Sequence, residues 1–459
     1  MAVARWRVPI PRRTLRSLPH ACVPRRFLAA RLLAVATAIA ACRGGETGHR
    51  TPSSELAPAS RPIEGPRAAA TVNGTLTLEH GQRVLRVWGT PQQMGYAHGA
   101  LLRDGILAVV QDYALDVVPP AALTAAAGAM GRTAAIAPSL RDEAAGVIEG
   151  MRDHGGAFVP ALARELSVDD LLALNAMTDL LAIGCSSLST WGDATAAAFD
   201  GAAVVVRNLD WSTDPDLLAQ QLVIVTMPSD PQRQSLVSVG FAGYLACLSC
   251  INEAGVTALF NMGYGDGAAS ALQALAGFAP ANLLVRDALE RRDTDGDGRS
   301  TADDVEASVR AATHAGSWIL HVVEPATVAA AAVRSPARVL EVEADGVVTR
   351  TPSEGEGPDA IASDHLAATN HFRAKRAPTS CPRYRELANA SRRQPAVDAD
   401  ALWRMGHGVR LPEVVQSMIV DADHRALSLW LRRANEDHDS DAPPVAWTWS
   451  ELVRPEARE

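Results

Sequence analysis

The sequence predicts an α+β protein, with strand runs forming sheets and helices covering them. Three observations predict this. Residues 91–183 read mainly as helix; the pattern turns strand-like after Cys185; and two helical stretches separate the later strand groups. With 459 residues, 47% of them apolar, the chain is long enough for a sizeable core, in one large domain or two ordinary ones. It shows no internal repeat.

The first 41 residues hold 8 arginines and no acid, and they end in "LLAVATAIAAC" (32–42). This apolar run is too short to span a bilayer and reads as a secretory signal over 1–41. "IAAC" (39–42) resembles a bacterial lipobox, which predicts lipidation at Cys42 and a lipid-anchored envelope protein. Residues 42–70 read as a disordered tether. Beyond the signal, 35 basic residues face 52 acidic ones. That balance argues against a general nucleic-acid binder, which needs net positive surface.

Residues 71–90 predict a hairpin with an Asn-Gly or His-Gly turn. A helix follows from Thr90, with Pro91 just inside its cap. Alanine-rich helical stretches fill 120–154, and Ser167 with Asp170 predicts a capping box before 169–182. Beyond Cys185, "CSSLSTW", "AAVVVRNLDW", "QLVIVTMP" and "SLVSVGFAGYLACLSCINEAGVTALFNM" read as strands. "SWILHVVE", "VLEVEADGVVTR" and "SMIVDADHRALSLWLR" continue the pattern after the helices "ANLLVRDALERR" and "ADDVEASVRAAT". Reading "YLACLSC" as strand puts Cys247 and Cys250 on opposite faces, which predicts two packed thiols.

Cys185 directly follows Gly184, where the helical pattern stops. A glycine carbonyl can be approached closely, so Cys185 could attack it and shift the peptide to a thioester. Water would then release Cys185 as a new N-terminus. Its α-amine, with an ordinary pKa of about 7.7–8.0, would serve as base for its own thiol.

"GTPQQMGYAHG" (89–99), "CSSLSTWGDATAAAFDGAAVVVRNLDW" (185–211), "INEAGVTALFNM" (251–262), "ATNHF" (368–372) and "SCPRYREL" (380–387) occur in that order. Over roughly 85–430 the chain resembles the penicillin acyltransferase-like cysteine N-terminal-nucleophile hydrolases. More distantly it resembles bile-salt hydrolases, penicillin V acylases and acid ceramidases. The resemblance implies an αββα four-layer sandwich, with 71–184 as a segment released by autoproteolysis and 185–459 as the catalytic chain. It implies Cys185 as nucleophile, Arg207 favouring its thiolate, and Asp210 holding the α-ammonium or thiol. It further implies Asn252 at the oxyanion, Asn370 as a second amide, and Arg383 as a late site arginine, with Arg385 close enough to compete for that place. The implied reaction is hydrolysis or acyl transfer on a small N-acyl amide, with no catalytic cofactor.

"DTDGDGRSTADD" (293–304), within a helical insert over 280–312, fits a calcium loop. Asp293, Asp295 and Asp297 stand at positions 1, 3 and 5, the Arg299 carbonyl at 7 and Asp304 at 12. Position 12 is Asp rather than Glu, and Ser300 replaces an apolar residue at 8. No histidine pair has zinc spacing. His98 falls in the released segment, while His371 and Cys381 are expected to pack near the site. Two other readings remain. One is a Cys-His-Asn thiol hydrolase using His371 without self-cleavage. The other is a calcium-stabilised lipoprotein that binds acylated ligands without turnover.

Overall fold

The computed structural model describes residues 72–133, 135–177, 184–264, 278–314, 316–352, 360–376, 380–440 and 442–454. The signal reading, Cys42 and the tether lie outside them. Strands β1 (Gly74–Glu79) and β2 (Gln82–Gly89) pair through His80 and Gly81, both in the left-handed region. This is the turn His-Gly favours. Helix α1 (Pro91–Ala108) starts at Thr90, which exchanges hydrogen bonds with Gln93. A π-helical turn, Val109–Ala114, follows it. Helices α2 (Pro120–Met130) and α3 (Pro138–Asp153) come next. Then come the two-residue strands β3 (Phe158–Val159) and β4 (Arg164–Glu165). Helix α4 (Val168–Ala176) is capped by Ser167 and Asp170 as expected.

The second half supplies the remaining strands. They are β5 (Gly184–Thr190), β6 (Val204–Asp210), β7 (Gln221–Pro228), β8 (Leu236–Phe241), β9 (Ser249–Asn252) and β10 (Thr257–Met262). Helices α5 (Ala281–Glu290) and α6 (Ala302–Ala311) intervene, as the insert predicts. Strands β11 (Trp318–Val323), β12 (Ala337–Glu343), β13 (Gly346–Arg350) and β14 (His365–Ala368) follow. Helices α7 (Pro382–Arg393) and α8 (Ala399–His407) precede β15 (Val414–Asp421), β16 (Ala426–Leu431) and β17 (Val445–Trp447).

One sheet runs β1-β2-β7-β8-β9-β10-β11-β12-β13; the other runs β14-β5-β6-β15-β16-β17. Side chains alternate across each strand, so each sheet serves two cores. Val223, Val239, Leu259 and Ile319 meet Val205, Leu366, Met418 and Leu429 between the sheets. Leu85, Ile224, Phe260 and Leu320 pack instead against α1, α3 and α4. On the far side, Leu188, Val206 and Ile419 pack against Leu387 of α7 and Leu402 of α8. The result is the αββα sandwich.

Two features tie the first segment to the rest. Gly95 and Gly99 of α1 face α3, where an added Cβ would lie 1.9 and 2.0 Å from the carbonyl oxygens of Glu143 and Val147. Only glycine lets the two helices approach so closely. Nearby, Arg286 of α5 donates to Glu143 Oε2 of α3 at 2.6 Å and to Glu290 Oε1 at 3.0 Å, all three buried. Burial pushes the Glu143 carboxyl up to about 7 against the pull of Arg286. Arg286→Ala leaves two buried carboxylates short of their guanidinium. It is expected to cost ~3–5 kcal/mol in urea unfolding. A loss no larger than that of an exposed pair, under ~1 kcal/mol, would show that the cluster does not hold the segments together.

The structure corrects one expectation here. Cys247 and Cys250 form a disulfide. The strand begins only at Ser249, and the irregular backbone before it lets both sulfurs meet, with Cα atoms 5.9 Å apart.

Candidate active site

Cys185 and Arg207 lie on the inner, inter-sheet face of β5 and β6. Gly184 and Asp210 pair directly at the strand ends. Arg207 Nη2 donates to Cys185 Sγ at 3.1 Å and to the Phe260 carbonyl at 2.6 Å. Its Nη1 donates to Asn261 Oδ1. Three residues on, Asp210 faces the opposite way, toward the outer helices. There Arg383 of α7 meets it, Nη1 to Oδ2 at 2.6 Å. Arg383 Nη2 also donates to Asn370 Oδ1 at 2.7 Å, and that same oxygen accepts the Cys185 backbone N–H at 2.9 Å. Asn370 Nδ2 donates to the Met262 carbonyl at 2.8 Å. Cys185, Arg207, Asp210, Asn370 and Arg383 therefore form one connected, buried network.

Electrostatics set its resting state. Burial pushes the Cys185 thiol up, and Asp210 adds to that, while Arg207 and Arg383 pull the other way. These influences leave Cys185 as a thiol rather than a thiolate. Burial also pushes the Asp210 carboxyl up, against Arg383 and Arg207. Asp210 Oδ1 is buried with no hydrogen-bond partner among the described residues.

Of the two late arginines, Arg383 joins this network; Arg385 is exposed, with Ser380 as a side-chain partner. Asn252 is not in the site, contrary to expectation. Its Oδ1 accepts from the Val256 N–H, and its Nδ2 donates to the Leu289 carbonyl and to Ser300 Oγ. Its amide is spent on the β9–β10 turn, on the end of α5 and on the acidic loop. Asn261, nine residues later, takes the place beside Arg207. The signal was an asparagine in the apolar strand "TALFNM" with no turn to serve. Glu341 was also missed. This buried carboxylate accepts the N–H groups of Arg373, Ala374 and Lys375 and so fixes the loop that follows Asn370.

His371 does not serve Cys185. It lies beside the Cys381 thiol and packs edge-on to Tyr264 at 5.2 Å. Burial raises the Cys381 pKa, but interactions with His371, Thr369 and the Tyr384 backbone outweigh it and bring the thiol down to about 6.

The acidic loop lies apart from this site. Carboxylate oxygens of Asp293, Asp295 and Asp297 converge within 4.8 Å, a donor set that suits a hard cation. Burial first, then Asp304, Asp297 and Asp293, raise the Asp295 pKa. Asp304 also does other work. It accepts the N–H groups of Thr294, Asp295 and Thr301, the last as a cap of α6. Ser300 Oγ accepts from Gln234 Nε2 at 2.8 Å, so position 8 anchors the loop to the sheet.

A small apolar cavity opens beside the strand ends. It lies between Val110, Tyr113 and Leu171 of the first segment and Trp211, Phe241 and Tyr244 of the second. Trp211 follows Asp210 directly, and its Nε1 donates to the Tyr113 hydroxyl at 2.7 Å.

No family model matches the chain. An uncharacterised protein of Archaeoglobus fulgidus is 22% identical over 208 residues, which is 40% of this chain and 33% of that protein. The match thus reaches about a third of the relative's length. Among solved structures, the chain is similar to an N-acylethanolamine-hydrolyzing acid amidase ortholog of Caenorhabditis elegans, at 14% identity and a TM-score of 0.39. That similarity covers 57% of this chain and 99% of the other. Penicillin V acylase from Agrobacterium tumefaciens is 11% identical with a TM-score of 0.33, covering 54% and 83%. A mutant conjugated bile acid hydrolase from Clostridium perfringens is 9% identical with a TM-score of 0.30, covering 58% and 96%.

Proposed function

We propose that the protein is an amide hydrolase or acyltransferase that matures by cutting its own Gly184–Cys185 bond and then uses N-terminal Cys185 as nucleophile. One observation carries this reading. Cys185 is held at both ends, its thiol by Arg207 and its backbone nitrogen by Asn370. An enzyme whose nucleophile and base share one residue needs both atoms fixed. In turnover, the thiolate adds to the substrate carbonyl, and the amine of Cys185 passes the proton to the departing nitrogen. The thioester so formed goes to water or to a second amine. Arg207 and the neighbouring amides supply positive charge and donors where the oxyanion develops.

The apolar cavity supports an N-acyl amide with an apolar acyl group as the substrate class. The test is release of p-nitroaniline from hexanoyl and acetyl anilides by the mature protein. Hexanoyl is expected to be preferred, with turnover lost in Cys185→Ala and after iodoacetamide. Turnover that survives both treatments would sink the thiol mechanism. Equal rates on both acyl groups would sink the assignment of the cavity.

A further inference from the structure

No step above uses His321, a fully buried histidine on β11 between the two sheets. Leu188 of β5 faces the outer helices, so Cys185, Ser187 and Ser189 share the inner face. Both serines meet the ring. Ser187 Oγ lies 2.8 Å from Nδ1, and Ser189 Oγ lies 2.9 Å from Nε2.

One further contact fixes the protons. Ser189 Oγ donates to the Leu366 carbonyl at 3.2 Å. A hydroxyl has one proton, so Ser189 accepts from the ring and Nε2 carries the hydrogen. Desolvation, with Arg350 and Arg207 nearby, brings the His321 pKa down to about 3, so the ring is neutral. Nδ1 is then a lone pair, and Ser187 must donate to it. That leaves Ser187 with only lone pairs for the rest of its surroundings. Its directly paired neighbour on β6 is Arg207. Arg207 Nε is buried and has no hydrogen-bond partner among the described residues. A hydroxyl turned the other way would present a proton to that guanidinium.

We propose that His321 is a positioning residue, which fixes the acceptor face of Ser187 toward Arg207 and thereby holds the guanidinium against the Cys185 thiol. This rests on the reading of Cys185 as nucleophile. No proton leaves the His321–Ser187 pair; it acts by orientation alone.

Ser189 supplies the comparison, because it sets the tautomer but does not itself stand opposite Arg207. It bonds the same ring across the same sheet interface, but its β6 partner is Val205 rather than Arg207. The experiment compares wild type, His321→Phe, Ser187→Ala and Ser189→Ala. It reads melting temperature, the rate of self-cleavage, kcat and KM on the hexanoyl anilide, and the rate at which iodoacetamide labels Cys185. Ser187→Ala and His321→Phe are expected to slow self-cleavage, kcat and labelling by roughly tenfold with KM nearly unchanged. Ser189→Ala keeps the Ser187 hydroxyl and loses only the acceptor that sets the tautomer, so it is expected to slow the three rates clearly less than Ser187→Ala does at a similar loss of melting temperature. Equal rates in the two serine variants would overturn the proposal and leave His321 a bridge between sheets. If wild type neither cleaves nor turns over while labelling still separates the serine variants, the enzymatic reading falls and the positioning role stands.

Discussion

Denatured wild-type protein is expected to separate into two pieces, the second beginning at Cys185, while Cys185→Ala stays whole. The proposed cut needs no outside protease. The Cys185 thiol adds to the carbonyl carbon of Gly184, and the peptide C–N bond breaks. The thiol's proton ends on the new α-amine. Water then hydrolyses the thioester, which restores the thiol and leaves Gly184 as a carboxylate. The geometry around the bond suits this course. A Cβ added at Gly184 would lie 2.8 Å from Asp210 Oδ2 and 3.1 Å from Asp210 Cβ. The carboxylate therefore stands against the Gly184–Cys185 bond, and its Oδ1, without a partner among the described residues, is a ready acceptor for the ammonium the proposed cut would form. Gly184→Ala must push Asp210 away, so this variant too should remain whole or cleave far more slowly. Under native conditions the two pieces should stay together. His98 and Asn175 of the first segment accept the N–H groups of Gly243 and Leu245, and Arg286 grips Glu143. Intact-mass measurement with N-terminal sequencing decides the matter. A wild-type chain that stays whole, or a cut at another bond, would sink the proposed maturation.

The sequence displayed the layers well because local signals and tertiary context agree there. Thr90 with Pro91, and Ser167 with Asp170, read as helix starts and are helix starts. His80-Gly81 reads as a hairpin turn and is one. The site was legible through the resemblance, since Arg207 and Asp210 taken alone read equally well as a surface ion pair. Arg207 and Asp210, three apart on one strand, must face opposite ways. What the sequence could not show is that each finds its own partner, Cys185 on one side and Arg383 on the other. Asn252 misled because an asparagine before Glu-Ala-Gly suits a turn as well as a site, and the turn won. Asn261 was passed over because its signal, a lone amide in an apolar strand, lies nine residues beyond the asparagine that the resemblance singled out. The disulfide was missed because the apolar run through Cys247 and Cys250 has strand composition but bends before Ser249. The contact between Ser187 and His321 spans 134 positions and carries no local signal at all.

Arg383→Ala is expected to be the most damaging substitution in the network that leaves the nucleophile intact, and its cost should depend on pH. Arg383 is buried and bridges Asp210 and Asn370. Removing it leaves the Asp210 carboxylate buried without its ion-pair partner, worth ~3–5 kcal/mol of stability. The sign with pH follows from Asp210. Its pKa in the fold already lies above the ordinary value, through burial, and Arg383 is the strongest influence holding it down. Without Arg383 the pKa rises further. A carboxyl whose folded pKa exceeds its unfolded one favours the fold when protonated. The deficit of Arg383→Ala should therefore be smallest below the ordinary aspartate range of about 4 and grow as pH rises through the raised folded value. Urea unfolding of wild type and variant at acidic and mildly alkaline pH measures this directly. A deficit that does not change with pH would mean that Asp210 is not the charge left behind. Arg383→Lys separates charge from geometry. A single ammonium can satisfy Asp210 but lacks the planar fork that also reaches Asn370. It should recover most of the stability and little of the self-cleavage, because Asn370 Oδ1 is the group that holds the Cys185 nitrogen.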